Sequence, residues 1–169
     1  GFADKGKVSL SMAAMTFDVS VMEEFVPLIN GLTAVIASDD EINNPMMLGD
    51  LIVKNKVDIM TSTPTYVSNI IDIPQLKEAM AQIKVFDLGA EAFPPALYDK
   101  IRTVNPDVYI MNGYGPTETT ISCTMKVITD SKNITIGVPN GNVKVYIVDK
   151  ENKILPDGET GELVVAGME

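Results

Sequence analysis

The chain has 169 residues, of which 46% are hydrophobic and 21% are charged, a composition typical of one globular domain with a sizeable core. Its net charge of −10, from 23 acidic and 13 basic residues, argues against nucleic acid as a partner. The chain has no His and one Cys, and this composition excludes Ser-His-Asp and Cys-His nucleophile systems and an ordinary zinc site.

Membrane and export signals are also missing from the sequence. No apolar run approaches the length of a membrane span, and the start has no signal-peptide layout. The lone Cys123 agrees with a reducing compartment and is expected to be a small buried hydrophobe. We therefore expect a cytoplasmic protein with no membrane partner.

The first elements alternate between strand and helix. Residues 8–15 and 33–37 are predicted strands, and a helix over about 21–29 separates them. Ser20 and Glu23 have the Ser-x-x-Glu spacing of a capping box at the start of that helix. The acidic run Asp39-Asp40-Glu41 is expected to be a solvated loop.

The alternation continues to residue 111. Asn44-Pro45 supplies an N-cap and a first-turn proline for a helix through residue 54. We then predict a strand over 57–61, helical segments from 64 and over 74–82, a strand over 84–88, a helix over 95–104 and a strand over 108–111. Alternation at this spacing predicts an α/β fold in which right-handed βαβ units form a parallel sheet flanked by helices.

The pattern changes near residue 120. Short β-rich runs at 121–127, 143–148 and 162–165 are separated by turn clusters at 139–142 and 156–158, which predicts antiparallel hairpins. We expect an α/β subdomain over 1–120 and a short antiparallel β-rich tail over 121–169. The sequence stops at Gly167-Met168-Glu169, inside what resembles a strand and turn, which indicates a piece of a longer protein.

The richest segment in binding groups is residues 112–121, after the predicted strand 108–111. Asn112 carries donors and an acceptor for a base edge, Tyr114 offers a flat face for stacking, and Glu118 has oxygens suited to Mg²⁺. Gly115-Pro116 fixes a turn between them. Ligands of open α/β sheets bind at the carboxyl ends of strands, so this segment is a candidate nucleotide site.

This segment resembles the adenine- and metal-binding motif of adenylate-forming enzymes, most closely the amino-acid adenylation domains of nonribosomal peptide synthetases. Three other segments resemble family elements in the family's order. They are Phe17-Asp18-Val19-Ser20, which resembles Phe-Asp-x-Ser, Gly89-Ala90-Glu91, which resembles Gly-Gly-Glu, and Gly158-Glu159-Thr160-Gly161-Glu162-Leu163, which resembles the Gly-Glu-Leu element. The resemblance spans nearly the whole chain and implies part of the large N-terminal region of such an enzyme.

The resemblance implies ATP and Mg²⁺ as cofactors. It makes Tyr114 the residue that stacks on adenine and Asn112 its hydrogen-bond partner, with Thr117 at the α-phosphate and Glu118 on the metal as the catalytic pair. The nucleotide would also be contacted by five further residues, which are Gly89, Ala90, Glu91, Gly113 and Gly115. Ala90 replaces the family's usual Gly, and Phe17 corresponds to an aromatic residue near the mouth of the site.

The resemblance also implies an amino-acid substrate. Asp18 would pair with the α-ammonium, a strong charge-assisted contact. The pocket for the substrate would be formed by Asp18, Val19, Met22, Thr61, Asp87, Gly89, Gly113, Ile121 and Ser122. Asp87 is unusual there, since an unpaired buried carboxylate is costly, and it favours a polar or basic amino acid.

The family's phosphate loop, ribose-binding Asp and catalytic Lys have no counterpart in the sequence. We therefore expect that the isolated chain does not turn over, because phosphoryl chemistry needs positioning and positive charge around the phosphates. In the whole enzyme, the remaining parts of the adenylation domain would supply these groups. The aminoacyl adenylate would then load the phosphopantetheine thiol of a peptidyl carrier protein domain.

Other interpretations remain open. The first alternative is a stand-alone ligase, such as a D-alanine carrier-protein ligase, because residues 61–64 resemble the Thr-Ser-Thr-Pro element of that ligase. The second alternative is another ligase that adenylates acyl or aryl acids, and the third is a structural platform without catalytic activity. Asp18 has an alternative role as a helix cap, and Glu118 one as a solvated turn carboxylate.

Overall fold

The computed structural model describes residues 4–167, so the prediction for the last two residues lies outside the described part. Nine strands and six α-helices are described within that range. In chain order they are β1 (Val8–Ser11), α1 (Val19–Ile29), β2 (Thr33–Ile36), α2 (Asp39–Asn43), α3 (Pro45–Asn55), β3 (Ile59–Ser62), α4 (Pro64–Ile70), α5 (Lys77–Gln82), β4 (Val85–Gly89), α6 (Pro95–Val104), β5 (Tyr109–Tyr114), β6 (Thr124–Val127), β7 (Val138–Pro139), β8 (Val143–Val148) and β9 (Glu162–Gly167).

Seven strands form one sheet in the order β2-β1-β3-β4-β5-β6-β7. The first five pair in parallel, whereas β6 and β7 add to β5 as antiparallel strands. Strands β8 and β9 form a separate antiparallel hairpin sheet. This arrangement confirms the predicted α/β class with a parallel sheet and a β-rich tail.

The strand order contains one reversal that determines where a ligand fits. The chain moves outward from β1 to β2, then returns past β1 to β3 and continues to β5. With right-handed crossovers, this reversal puts α1 on one face of the sheet and the later helices on the other. The carboxyl ends of β1 and β3 therefore border a crevice, which is the usual ligand position in open α/β sheets.

The two faces of the sheet have different cores. The larger cluster contains Leu10, Met60, Phe86 and Ile110 from the strands, packed with residues of α3 to α6. A smaller cluster on the opposite face contains Ile59, Val85 and Met111. Because side chains alternate along a strand, the residues two positions beyond Ile59 and Val85 face the same side as this smaller cluster, near the crevice.

Two local predictions at helix starts are wrong. Helix α1 begins after Asp18, whose side chain makes no cap hydrogen bond, and Glu23 forms no capping box because its carboxylate binds backbone amides elsewhere. The expected loop over 39–41 is the first turn of α2, where Ser38 and Glu41 form a complete capping box. The predicted N-cap Asn44 is confirmed, since its side chain accepts from Met46 N and Met47 N.

Strand bounds differ from the predictions where pairing is non-local. Strand β1 ends at Ser11 instead of residue 15, and β6 begins at Thr124 instead of residue 121. Strand β5 runs to Tyr114, because β6 pairs with its last four residues. Within the described range, no helix is long and apolar enough to cross a lipid bilayer.

Candidate functional site

A cavity of about 430 Å³ lies at the carboxyl ends of β1, β3, β4 and β5. It is open on one side and occupies the crevice that the strand order creates. Its lining residues come from several parts of the chain, and they are Met12, Ala13, Phe17, Asp18, Val19, Met22, Glu23, Ile42, Thr61, Ser62, Thr63, Tyr66, Asp87, Gly89, Ala90, Gly113, Gly115, Pro116, Thr117, Ile121, Ser122 and Met125. All nine residues predicted for the substrate pocket line it.

The first turn of α1 forms one wall of the cavity. Phe17, Asp18, Val19 and Met22 all line it. The alternative role of Asp18 as a helix cap is not realised, because its side chain makes no cap hydrogen bond. Its carboxylate therefore remains available to a cation in the cavity.

Glu23 supports this wall and was missed as a site residue. It is 2% exposed, and its Oε2 accepts hydrogen bonds from Met12 N at 2.7 Å and Ala13 N at 2.8 Å. Burial raises the pKa of Glu23, and these two hydrogen bonds oppose that shift. Since Met12 and Ala13 line the cavity, Glu23 holds the β1–α1 loop in place.

Asp87 forms part of the cavity wall on β4, opposite Thr61 of β3 in the parallel register. Its side chain is 3% exposed, and Oδ2 has no hydrogen-bond partner among the described residues. Burial raises the pKa of Asp87 to about 7. Among the described lining residues, Asp87 therefore has a buried carboxyl oxygen that the protein leaves without a hydrogen-bond partner.

Two glycines on neighbouring strands keep the cavity open beside Asp87. Gly89 and Gly113 are register partners on β4 and β5. A Cβ on Gly89 would lie 2.9 Å from the carbonyl oxygen of Gly113, whereas one on Gly113 would lie 3.4 Å from Ser122 Oγ. Gly89 is therefore needed for strand approach, whereas Gly113 mainly provides space.

The segment after Gly89 turns sharply. Ala90 has φ of +65°, a left-handed conformation that suits Gly better than Ala because Ala has a Cβ. Ala90 lines the cavity, and Glu91 accepts a hydrogen bond from Thr65 N at 3.1 Å, near the start of α4. Segment 89–91 thus links the end of β4 to the start of α4.

The predicted adenine residues lie on the other face of β5 from Gly113. Because side chains alternate along β5, Asn112 and Tyr114 face away from the cavity, whose lining includes neither. Asn112 is 5% exposed and its amide donates to Thr135 O at 2.9 Å. Tyr114 is 39% exposed, so part of its surface is free to contact a ligand.

A strained turn brings the chain from Gly115 back to the cavity. Gly115 has no room for a side chain, since a Cβ would lie 2.6 Å from Ile121 O. A 3₁₀ turn spans Thr117–Thr119, and Thr120 and Ile121 follow with φ of +54° and +72°. Consecutive left-handed residues reverse the chain, so that Ile121 and Ser122 line the same cavity as Thr117.

Glu118 is separated from the cavity that Thr117 lines. It is exposed and lies with Thr119 and Thr120 beside residues 165–167 of β9. Within residues 4–167, no group of three metal-ligating side chains is present. A single free carboxylate still fits Mg²⁺, which takes most of its ligands from phosphates and water.

Further lining residues were not singled out for the site from the sequence. Thr63 lines the cavity and also caps α4, where Thr63 Oγ1 accepts from Tyr66 N at 3.2 Å. Tyr66 donates to Ile42 O at 3.4 Å, and burial raises its pKa. Met125 of β6 completes the lining. Cys123 is fully buried, as predicted.

The fold and the cavity define a class of protein. A family model described as AMP-binding enzyme matches residues 2–169, and the chain belongs to this family. D-alanine--D-alanyl carrier protein ligase of Bacillus velezensis is 33% identical over 169 residues, covering 96% of this chain and 34% of the ligase. Tyrocidine synthase 3 of Brevibacillus parabrevis is 33% identical over 165 residues, covering 97% of this chain and 2% of the synthase.

Solved structures have the same fold. A four-domain nonribosomal peptide synthetase bound to AMP and glycine matches with a TM-score of 0.85 and 27% identity, over 96% of this chain and 12% of that one. A synthetase protein containing adenylation and PCP domains matches with a TM-score of 0.87 and 22% identity, over 99% and 34%. The chain thus spans about a third of the carrier protein ligases and less of the synthetases.

Proposed function

We propose that this chain is part of an ATP-dependent enzyme that activates an amino acid as its adenylate. The observation that carries the proposal is one continuous cavity lined by both Asp18 and Thr117. Asp18 would supply a carboxylate for the α-ammonium, and Thr117, on the turn after Gly115, would contact the α-phosphate beside the substrate carboxylate. Attack of that carboxylate on phosphorus forms the aminoacyl adenylate and releases pyrophosphate.

The nucleotide would be held by β5 and the segment after β4. Tyr114 stacks on adenine with its exposed ring face. Because the Asn112 amide nitrogen already donates to Thr135 O, its carbonyl oxygen is the atom left to accept from the base. Segment 89–91, with Gly113 and Gly115, lines the other side of the nucleotide, and Thr117 contacts the α-phosphate.

Glu118 would hold Mg²⁺ together with the phosphates of ATP. Its exposed carboxylate gives a metal one protein ligand, which matches the few carboxylates usual at Mg²⁺–nucleotide sites. When bound, the metal neutralises charge on the phosphates. Thr117, on the cavity side of the same turn, orients the α-phosphate toward the substrate.

The substrate side chain would occupy the inner part of the cavity. Its walls are the predicted pocket residues Val19, Met22, Thr61, Asp87, Gly89, Gly113, Ile121 and Ser122, all of which line it. Two glycines and several small residues leave space there for a side chain larger than a methyl group. Asp18 would then hold the α-ammonium and so orient the neighbouring carboxylate that reacts.

The acyl group would pass to the phosphopantetheine thiol of a carrier domain. One structural neighbour is a protein containing adenylation and PCP domains, which supports a carrier partner. The thiol displaces AMP from the adenylate and a thioester forms. We propose the cytoplasm as the location, since ATP and reduced thiols such as Cys123 are maintained there.

A D-alanine carrier protein ligase is a second candidate. The 33% identity to the Bacillus velezensis ligase favours it, as does the cavity-lining segment 61–63, which belongs to the Thr-Ser-Thr-Pro resemblance. Both candidates share the adenylation chemistry and differ in the size of the substrate side chain. A buried, unpaired Asp87 beside the substrate suits a larger polar side chain better than the methyl group of alanine.

The test is carboxylate-dependent ATP–pyrophosphate exchange by the intact protein that contains this chain. The panel contains amino acids, fatty acids and aryl acids. We expect exchange with amino acids only, and a rise of about 10–100-fold in KM for ATP in Tyr114→Ala, the size of a lost base–aromatic stack. Tyr114→Phe, which keeps the ring face, is the matched control and retains near-normal KM. Exchange with fatty or aryl acids alone would contradict the proposal.

A further inference from the structure

Asp87 is a buried carboxylate for which the described protein provides no partner. It is 3% exposed, and Oδ2 makes no hydrogen bond with the described residues. Removing a charged carboxylate from water without a partner is strongly unfavourable. Such a group at the wall of a ligand cavity indicates that the ligand itself completes it.

The lining of the cavity is acidic. Asp18, Glu23 and Asp87 contribute three carboxyl groups, and none of its described lining residues is Lys or Arg. Glu23 is satisfied by the backbone amides of the β1–α1 loop. Asp18 and Asp87 therefore remain as two carboxyl groups to which the described lining offers no cation.

The neighbours of Asp87 direct it toward the cavity. A Cβ on Gly113 would lie 3.9 Å from Asp87 Oδ1, so the missing side chain leaves space beside this oxygen for a group of a ligand. Ser122 Oγ, on the other side of Gly113, donates to Thr124 O at 3.1 Å, and that proton is therefore not available to Asp87. A donor for Asp87 has to come from the occupant of the cavity.

We propose that the activated substrate is a basic amino acid, whose side-chain amine or guanidinium pairs with Asp87 while its α-ammonium pairs with Asp18. The proposal rests on the proposed function and names its substrate class. A hydroxyl group would donate one hydrogen bond but leave the acidic cavity uncompensated. A side-chain cation supplies the hydrogen bond and the charge together, which is the stronger form of the contact.

Pairs of equal-length substrates test the inference in the intact protein. Lysine is compared with norleucine, and arginine with citrulline, because each pair differs mainly in the side-chain cation. Exchange kinetics and thermal stabilisation by the amino acid alone are measured for the unmodified protein, Asp87→Asn and Gly113→Ala. The first variant keeps the shape of Asp87 but not its charge, and the second places a methyl group at its approach.

We expect a basic amino acid to be preferred by about 100-fold over its neutral partner, the range for truncating one member of a buried charge pair. Asp87→Asn should remove that preference and the thermal stabilisation by the basic amino acid. Gly113→Ala should weaken binding of the basic substrate. A neutral or hydroxyl amino acid as the best substrate, or an unchanged preference in Asp87→Asn, would overturn the inference. No exchange with any amino acid in the unmodified protein would instead contradict the proposed function.

Discussion

At the scale of single residues, buried carboxyl groups do most to define the cavity. Asp87 and Glu23 are both nearly inaccessible to solvent, yet only Glu23 has hydrogen-bond donors directed at it. The same chemical group is thus structural at one position and unsatisfied at the other. Sequence alone does not show which of the two carboxyl groups has hydrogen-bond donors, because the donors for Glu23 are backbone amides ten and eleven residues earlier in the chain.

The raised pKa of Asp87 predicts a specific dependence of stability on pH. With a folded-state pKa of about 7 and an ordinary value of 3.8, the folded protein keeps a proton that the unfolded chain has lost. Stability therefore falls as pH rises from about 4 to about 7 and is level above that. In Asp87→Asn this fall should be absent, so the variant gains up to roughly 4 kcal/mol over the unmodified protein at pH 8.

Urea unfolding of the ligand-free intact protein at pH 4 and pH 8 measures this effect. The matched control is Asp99→Asn, the same substitution at an exposed position on α6. Equal stability changes at the two pH values for Asp87→Asn would show that Asp87 is ionised and satisfied in the folded protein.

Backbone conformation at Ala90 gives a second prediction at this scale. Because Ala90 has φ of +65°, Ala90→Gly should raise stability by up to about 1 kcal/mol, less the entropy that Gly loses on folding. The same change at Ala81, inside α5, should lower stability by about 1 kcal/mol. Thermal unfolding compares the two, and a loss of stability at position 90 as large as that at 81 would contradict the conformational argument.

At the scale of elements, the predictions succeed where the signal is local. Asn44-Pro45 predicts the start of α3, and the alternation of strands and helices predicts the parallel order up to β5. They fail where pairing is distant in sequence. The end of β5 depends on its pairing with β6. The run 39–41 is an exception, because its helix depends on the local capping box of Ser38 and Glu41, a signal that the acidic composition of the run obscured.

The cap of α3 has a measurable contribution. Asn44 accepts hydrogen bonds from Met46 N at 3.0 Å and Met47 N at 3.3 Å, so Asn44→Ala should cost about 1 kcal/mol of stability. Asn69→Ala is the control, since Asn69 is an exposed interior residue of α4, where Ala is the better helix former. Thermal unfolding should separate the two variants, and a neutral Asn44→Ala would show that the cap contributes nothing.

At the scale of the whole molecule, the motifs predicted the cavity more completely than the fold around it. All nine predicted substrate residues line one cavity, because they lie on the carboxyl ends of neighbouring strands and on α1. The motif order could not show that Glu118 faces β9 and not the cavity, since β9 is more than forty residues away in sequence. The division of the chain at residue 120 remains a prediction, and β6 and β7 extend the sheet of the preceding part.

The acidic cavity also predicts what the chain does alone. None of the described lining residues is basic, whereas catalysis at phosphorus needs positive charge around the phosphates. We expect no amino-acid-dependent adenylate formation by the 169 residues alone, even when circular dichroism shows them to be folded. Under the same conditions the intact protein should form adenylate, and turnover by the folded chain alone would contradict this reasoning.

The proposed function depends most on recognition of the α-ammonium of an amino acid by Asp18 in the cavity. The most direct measurement is ATP–pyrophosphate exchange by the intact protein with the best amino acid and with the same carboxylic acid lacking its α-amine, in the unmodified protein and in Asp18→Asn. We expect a loss of about 100-fold in kcat/KM on removing either the amine or the Asp18 charge, with little further loss when both are removed. Equal exchange with and without the α-amine in the unmodified protein would contradict it.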